Sequence, residues 1–195
     1  YHRLKMFVHA EDIDALNPNN EGDLTIFLRL GSDFTQNYYE YEIPLSFTPW
    51  GTAKTNPALI WPDENSFDID LDKLVQIKQD RNIQMRNGEI PASLTIPYVT
   101  FDGKNKVTIV GTPSISDVRA IMIGVRNPKK QSFTDADDGQ PKSAEIWINE
   151  LRLTDFNDQS GWAATGRLTV NLADLGNVSV NFVHSTPGFG SIEKK

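Results

Sequence analysis

The stretches Leu24-Thr-Ile-Phe-Leu-Arg-Leu30 and Tyr39-Glu-Tyr-Glu-Ile43 decide the fold class. In the first, Leu24, Ile26, Leu28 and Leu30 alternate with Thr25, Phe27 and Arg29; in the second, Tyr39, Tyr41 and Ile43 alternate with Glu40 and Glu42. A period of two puts one set of side chains on a buried face and the other on a wetter one, which is the pattern of a strand. Near the N-terminus Leu4, Met6 and Val8 repeat it against Lys5, Phe7 and His9. Residues 120–125 and 146–148 are more continuously apolar, as strands inside a sandwich are. Shorter strand-like pieces lie at 92–99 and 107–110, and Asn17-Pro18-Asn19-Asn20, Asp102-Gly103, Asn127-Pro128 and Asp138-Gly139 supply turn chemistry between them.

One segment departs from this period. Leu71, Leu74, Val75 and Lys78 recur at helical spacing, Asp68 or Asp70 stands where a cap is needed, and the spacing predicts a short helix ending near Asn82. A loop at 48–64 carries Pro49, Pro57 and Pro62 together with Trp50 and Trp61. Many short strands, one short helix and several Pro/Gly turns predict an all-β, jelly-roll-like β-sandwich over residues 1–158. The order of the later strands resembles carbohydrate-binding jelly rolls, a likeness of fold alone.

After Phe156 the character changes. Residues 157–161 read as a linker. Leu168, Val170 and Leu172 then alternate with Arg167, Thr169 and Asn171, and beyond a turn Val178, Val180 and Phe182 alternate with Ser179 and Asn181. This predicts a C-terminal β-hairpin within residues 159–195. Each arm has about the 9–11 residues of a strand crossing an outer membrane, although a soluble hairpin has the same periodicity.

Composition narrows the chemistry. The 195 residues include no cysteine, which excludes disulfides, thiol nucleophiles and zinc–cysteine sites. Nineteen basic against 26 acidic side chains give a net charge of −7, which argues against nucleic acid or an anionic lipid surface as the main partner. The chain opens Tyr1-His2-Arg3-Leu4-Lys5 without an initiator Met or an apolar leader, and so reads as a fragment of a longer protein or a processed chain.

Motifs that carry catalysis are missing: there is no G-x-S-x-G elbow, H-E-x-x-H pair or phosphate loop. His9, followed by Glu11 and Asp12, suggests a metal ligand less strongly than a rim histidine, and His2 and His184 offer less. Glu40, Glu42, Asp33, Glu145 and Glu150 are the acids from which a glycosidase pair would be drawn, yet alternating acids usually make a solvated face. Asp135-Ala-Asp137-Asp138-Gly139 misses the EF-hand spacing and reads as an acidic turn. No cofactor or metal site is expected. Tyr38, Tyr39, Trp50 and Trp61 are the candidate contact residues, because exposed rings anchor interfaces and stack on sugars; core roles compete, for the tyrosines above all.

Several longer segments are more specific. They are Leu28-Arg-Leu-Gly-Ser-Asp-Phe34 with Tyr38-Tyr-Glu-Tyr-Glu-Ile-Pro44, Ile121-Met-Ile-Gly-Val-Arg-Asn-Pro128 and Pro141-Lys-Ser-Ala-Glu-Ile-Trp-Ile-Asn-Glu-Leu-Arg-Leu-Thr-Asp-Phe156, followed by Gly161-Trp-Ala-Ala164 and Ser185-Thr-Pro-Gly-Phe-Gly-Ser-Ile-Glu193. In this order they resemble the SprA/Sov family, the very large outer-membrane translocon proteins of type IX secretion and gliding motility. The resemblance implies an envelope location at the outer membrane and no enzymatic activity. It also implies partners among the other translocon subunits and the exported cargo, and it makes the C-terminal hairpin a pair of barrel strands. The alternative reading is a carbohydrate-binding module that holds a glycan through its loop aromatics.

Overall fold

The computed structural model describes residues 1–52, 56–128, 140–156, 161–186 and 189. The chain divides into two compact units, Tyr1–Asp155 and Phe156–Lys195.

The first unit is an all-β sandwich. Its elements in chain order are β1 (Arg3–Asp12), β2 (Thr25–Gly31), β3 (Tyr38–Pro44), α1 (Pro57–Ile60), β4 (Phe67–Asp70), α2 (Leu71–Asn87), β5 (Tyr98–Asp102), β6 (Asn105–Val110), β7 (Ala120–Arg126) and β8 (Ala144–Thr154). One sheet has three strands in the order β4-β1-β8, the other five in the order β5-β6-β3-β2-β7, and all their pairings are antiparallel. Leu4, Met6 and Val8 of β1 meet Ile26, Leu28 and Leu30 of β2, Tyr39, Tyr41 and Ile43 of β3, and Val107 and Ile109 of β6 in one core. The alternation read from the sequence thus sets which residues face inward.

Helix α2 closes part of that core with Leu71 and Leu74. Of the two aspartates offered as caps, Asp70 performs the task, accepting from the N–H groups of Asp72 and Lys73 at 2.9 and 3.2 Å. The helix runs five residues past the expected end near Asn82, because Gly88, at φ 75°, takes the left-handed position that terminates it. Arg81 lies buried within it and donates to the Gly111 carbonyl at 2.8 Å, which ties the helix to the end of β6.

One strand expectation needs correction, and one strand was not expected. The strand predicted at 92–99 begins only at Tyr98; Pro91 and Pro97 remove ladder donors from the segment, and Leu94 and Ile96 stand exposed. Strand β4 carried too short an alternation to be read. In β8, Glu150 and Leu151 together oppose Met6, and Glu150 sits at φ 55°, a bulge that shifts the register between Lys5 and Phe7. The turn at Asp102-Gly103 joins β5 to β6 as expected, with Gly103 at φ 61°. The turn at Asp138-Gly139 lies outside the described residues.

The second unit is a hairpin of two ten-residue strands, β9 (Ala163–Leu172) and β10 (Gly176–Ser185), joined by a three-residue turn. Its two faces differ sharply. Paired across the strands on one face are Leu168 with Val180, Val170 with Val178, and Gly166 with Phe182. On the other are Arg167 with Asn181, Thr169 with Ser179, and Asn171 with Asn177.

Candidate functional site

The structure separates the four candidate aromatics. Tyr39 is 1% exposed in the sandwich core, its hydroxyl donating to the Pro113 carbonyl at 3.2 Å, and burial pushes that hydroxyl up to about 12. It is therefore a core residue and not a contact residue, as its place in the same parity as Tyr41 and Ile43 requires. Tyr38 points to the opposite face, where the Arg29 guanidinium lies 3.9 Å from its ring centre. Trp50 is 59% exposed in the loop after β3. Trp61 ends α1, donating its backbone N–H to Pro57 at 2.8 Å, and its ring packs at 5.8 Å from that of His9.

Around Trp61 the three-stranded sheet forms a cleft of about 400 Å³, lined chiefly by His9, Glu11, Ile60, Trp61, Glu145 and Trp147. The register of β1 on β8 makes it: His9 stands opposite Trp147 and Glu11 opposite Glu145, with the core residues Ala10 and Ile146 between them on the inner face. His9 is 6% exposed, and its Nδ1 donates to the Ile60 carbonyl at 2.5 Å. Trp147 is 57% exposed. Of this set, sequence reading singled out Trp61, His9 and Glu145 separately and passed over Trp147 as one residue of an apolar run. Pairing between strands so far apart in the chain leaves no local signal.

Glu40 and Glu42 are not a solvated face. Both are buried on the outer face of the five-stranded sheet. Arg29 donates to Glu40 through Nε at 2.9 Å and through its second amino group at 2.5 Å, and Arg126 reaches the other oxygen at 3.1 Å. Glu42 accepts from Lys106 at 2.5 Å, from the Thr25 hydroxyl at 2.6 Å and from Arg126. The Arg126 guanidinium also lies over the Phe27 ring at 4.6 Å, and that ring fills the space above Gly124, where a Cβ would come within 2.5 Å of it. These carboxylates are committed to an ion network, which is poor ground for acid–base chemistry. Asp33 accepts backbone N–H bonds from Gln36, Thr35 and Asn37, which hold it well below the usual carboxylate range and fold the β2–β3 loop around it. Glu150 pairs with Arg152 at 3.1 Å beside the bulge. Among the described residues no three acidic or histidine side chains cluster as metal ligands. The turn at 135–139 lies outside those residues.

The network gives a pH dependence. Burial raises the Glu42 carboxyl, but its hydrogen bonds from Lys106, Thr25 and Arg126 outweigh burial and hold it below the ordinary glutamate value. Asp68 is lowered by Arg3 and Asp102 by Lys73. Groups depressed in the folded state add stability that is complete above their unfolded values and lost as pH falls through the folded ones. Urea midpoints should therefore be level from about pH 6 to 8 and decline below about pH 4.5. Glu42→Gln should flatten the decline; an identical acid limb in that variant would show that Glu42 contributes none of it.

The hairpin is the other candidate. Apart from Ala164, every residue of its two strands is exposed, so the apolar face of Leu168, Val170, Val178, Val180 and Phe182 has no cover among the described residues of its unit. Aromatic rings gather at the end away from the turn: Trp162 lies 4.9 Å from His184, and Phe182 stacks on His184 at 6.2 Å. Thr169 and Ser179 join hydroxyls at 3.3 Å on the polar face. No helix among the described residues is long and apolar enough to cross a membrane, a finding without bearing on membrane crossing by strands.

No curated protein matches the chain. A family model, SprA_N, described as motility related/secretion protein, matches residues 1–195. With the whole of both units covered, the chain belongs to the SprA_N family of motility related/secretion proteins.

Proposed function

We propose that β9 and β10 are adjacent strands of an outer-membrane β-barrel. The chain is then a non-enzymatic structural and interaction part of a type IX secretion translocon, supporting protein export and gliding motility. The hairpin carries this reading. Ten residues at about 3.3 Å each, tilted by about 40°, rise about 25 Å, the height of the apolar band of such barrels. Apolar and polar residues alternate without exception from Leu168 to Leu172 and from Val178 to Phe182. Trp162, Phe182 and His184 stand where an aromatic girdle meets the interface, and the three-residue turn has the length of a periplasmic turn.

A two-stranded hairpin is at best marginally stable in water and leaves both edges open, so in a bilayer it needs further strands beside it. Family membership, with its motility and secretion description, supports the same reading. The sandwich unit then serves as a rigid docking surface for the other subunits of the translocon or for cargo in transit.

The test uses the native host. Cells whose protein carries Leu168→Arg on the apolar face should lose gliding and export of cargo. Cells carrying Thr169→Arg, one residue along on the polar face, should keep both. Equal behaviour of the two strains would overturn the barrel assignment.

A further inference from the structure

The cleft around His9 has a chemistry that the barrel reading does not use. Glu11 and Glu145 stand directly opposite each other on β1 and β8. Like charges in that position repel, and a cation between them converts the repulsion into attraction. Neither carboxylate is paired with a lysine or arginine among the described residues; the His9 ring lies 3.4 Å from Glu11. The indoles of Trp61 and Trp147 line the same cleft, and indole is the best aromatic partner for a cation.

His9 points the same way. A carbonyl oxygen only accepts, so the bond to Ile60 assigns a proton to Nδ1 and fixes the orientation of the ring. Its Nε2 lies 3.4 Å from Glu11 Oε2, so the ring holds that carboxylate at the wall of the cleft. Among the described residues no three acidic or histidine side chains cluster there as metal ligands, while two indoles line the cleft, a lining that suits an organic cation. Strand β8, which supplies Glu145 and Trp147, is also an edge of its sheet. An extended segment laid along that edge finds open backbone groups, and one of its side chains can enter the cleft.

The geometry points to this cleft as a recognition site for the arginine or lysine side chain of an extended protein segment. The inference is independent of the membrane reading, since it concerns the sandwich unit alone. At Trp61 it gives a cation, not a glycan, as the occupant.

The test is a titration of the whole isotope-labelled chain, held in detergent micelles, with N-acetyl-arginine-N-methylamide. The indole N–H resonances of Trp61 and Trp147 are followed by NMR. Saturable shifts are expected, with a dissociation constant on the order of 10 mM for so small a probe. The uncharged citrulline analogue should produce none. Glu11→Gln with Glu145→Gln should weaken binding about tenfold, and Trp147→Leu about fivefold, while the backbone amide spectrum stays that of the folded chain. Three results would overturn the assignment: equal affinity for citrulline, undiminished binding by the double variant, or saturation by cellotetraose but not by the arginine compound.

Discussion

Glu40→Ala is expected to lower the unfolding free energy of the sandwich by about 3–5 kcal/mol, the range for removing one partner of a buried ion pair. Glu40 accepts two hydrogen bonds from Arg29 and one from Arg126. With the carboxylate gone, Arg29 keeps its contact to the Phe34 carbonyl and its stacking on Tyr38, but its charge stays largely buried without a counterion. Arg126 is more exposed and can turn towards water, so most of the loss comes from Arg29.

The pair itself need not add net stability, since desolvation offsets its attraction. A double-mutant cycle with Arg29→Ala separates these effects. Urea unfolding should show the double variant little worse than Glu40→Ala alone. Simple additivity of the two single losses would show that the two side chains do not act as a unit.

The second large effect is expected on the hairpin. Leu168 lies nearest the middle of β9 on the apolar face. If that face meets lipid, Leu168→Arg puts a charge at the depth where it costs about 2–4 kcal/mol. Thr169→Arg adds the same charge to the face that carries Arg167 and Asn171, where water and polar neighbours solvate it. Urea titration of the complete barrel containing this hairpin, folded into phospholipid vesicles, should show the loss for Leu168→Arg and a change under about 1 kcal/mol for Thr169→Arg. Comparable effects at both positions would place both faces in similar surroundings.

Strands β2 and β3 were legible because strict alternation over seven residues fixes both the element and its inner face. The same parity sorts Tyr39 into the core and Tyr38 onto the outer face, so of the two competing roles the core one holds for Tyr39. Glu40 and Glu42 misled for a different reason. Alternating acids look solvated, and only the pairing of β3 with β2 and β6, and of β2 with β7, brings Arg29, Lys106 and Arg126 over them. The cleft was illegible for the same cause, since its carboxylates and indoles come from β1, β8 and the end of α1. Helix α2 was placed by its apolar spacing, but its end is set by Gly88, six residues beyond the polar Asn82 that looked like a stop. The hairpin was the most legible element of all, because its two strands are adjacent in sequence and differ so cleanly from face to face.

In the proposed barrel, β9 and β10 cross the membrane with Leu168 and Val170 facing lipid. The 195 residues contain no cysteine, so single cysteines at positions 167 to 172 add thiols without a background from this segment. Labelling the assembled protein in intact outer membranes with a water-soluble maleimide measures which of those positions meet water. Alternation is expected: positions 167, 169 and 171 react and positions 168, 170 and 172 stay protected until detergent dissolves the membrane. Uniform reaction at all six positions would contradict it.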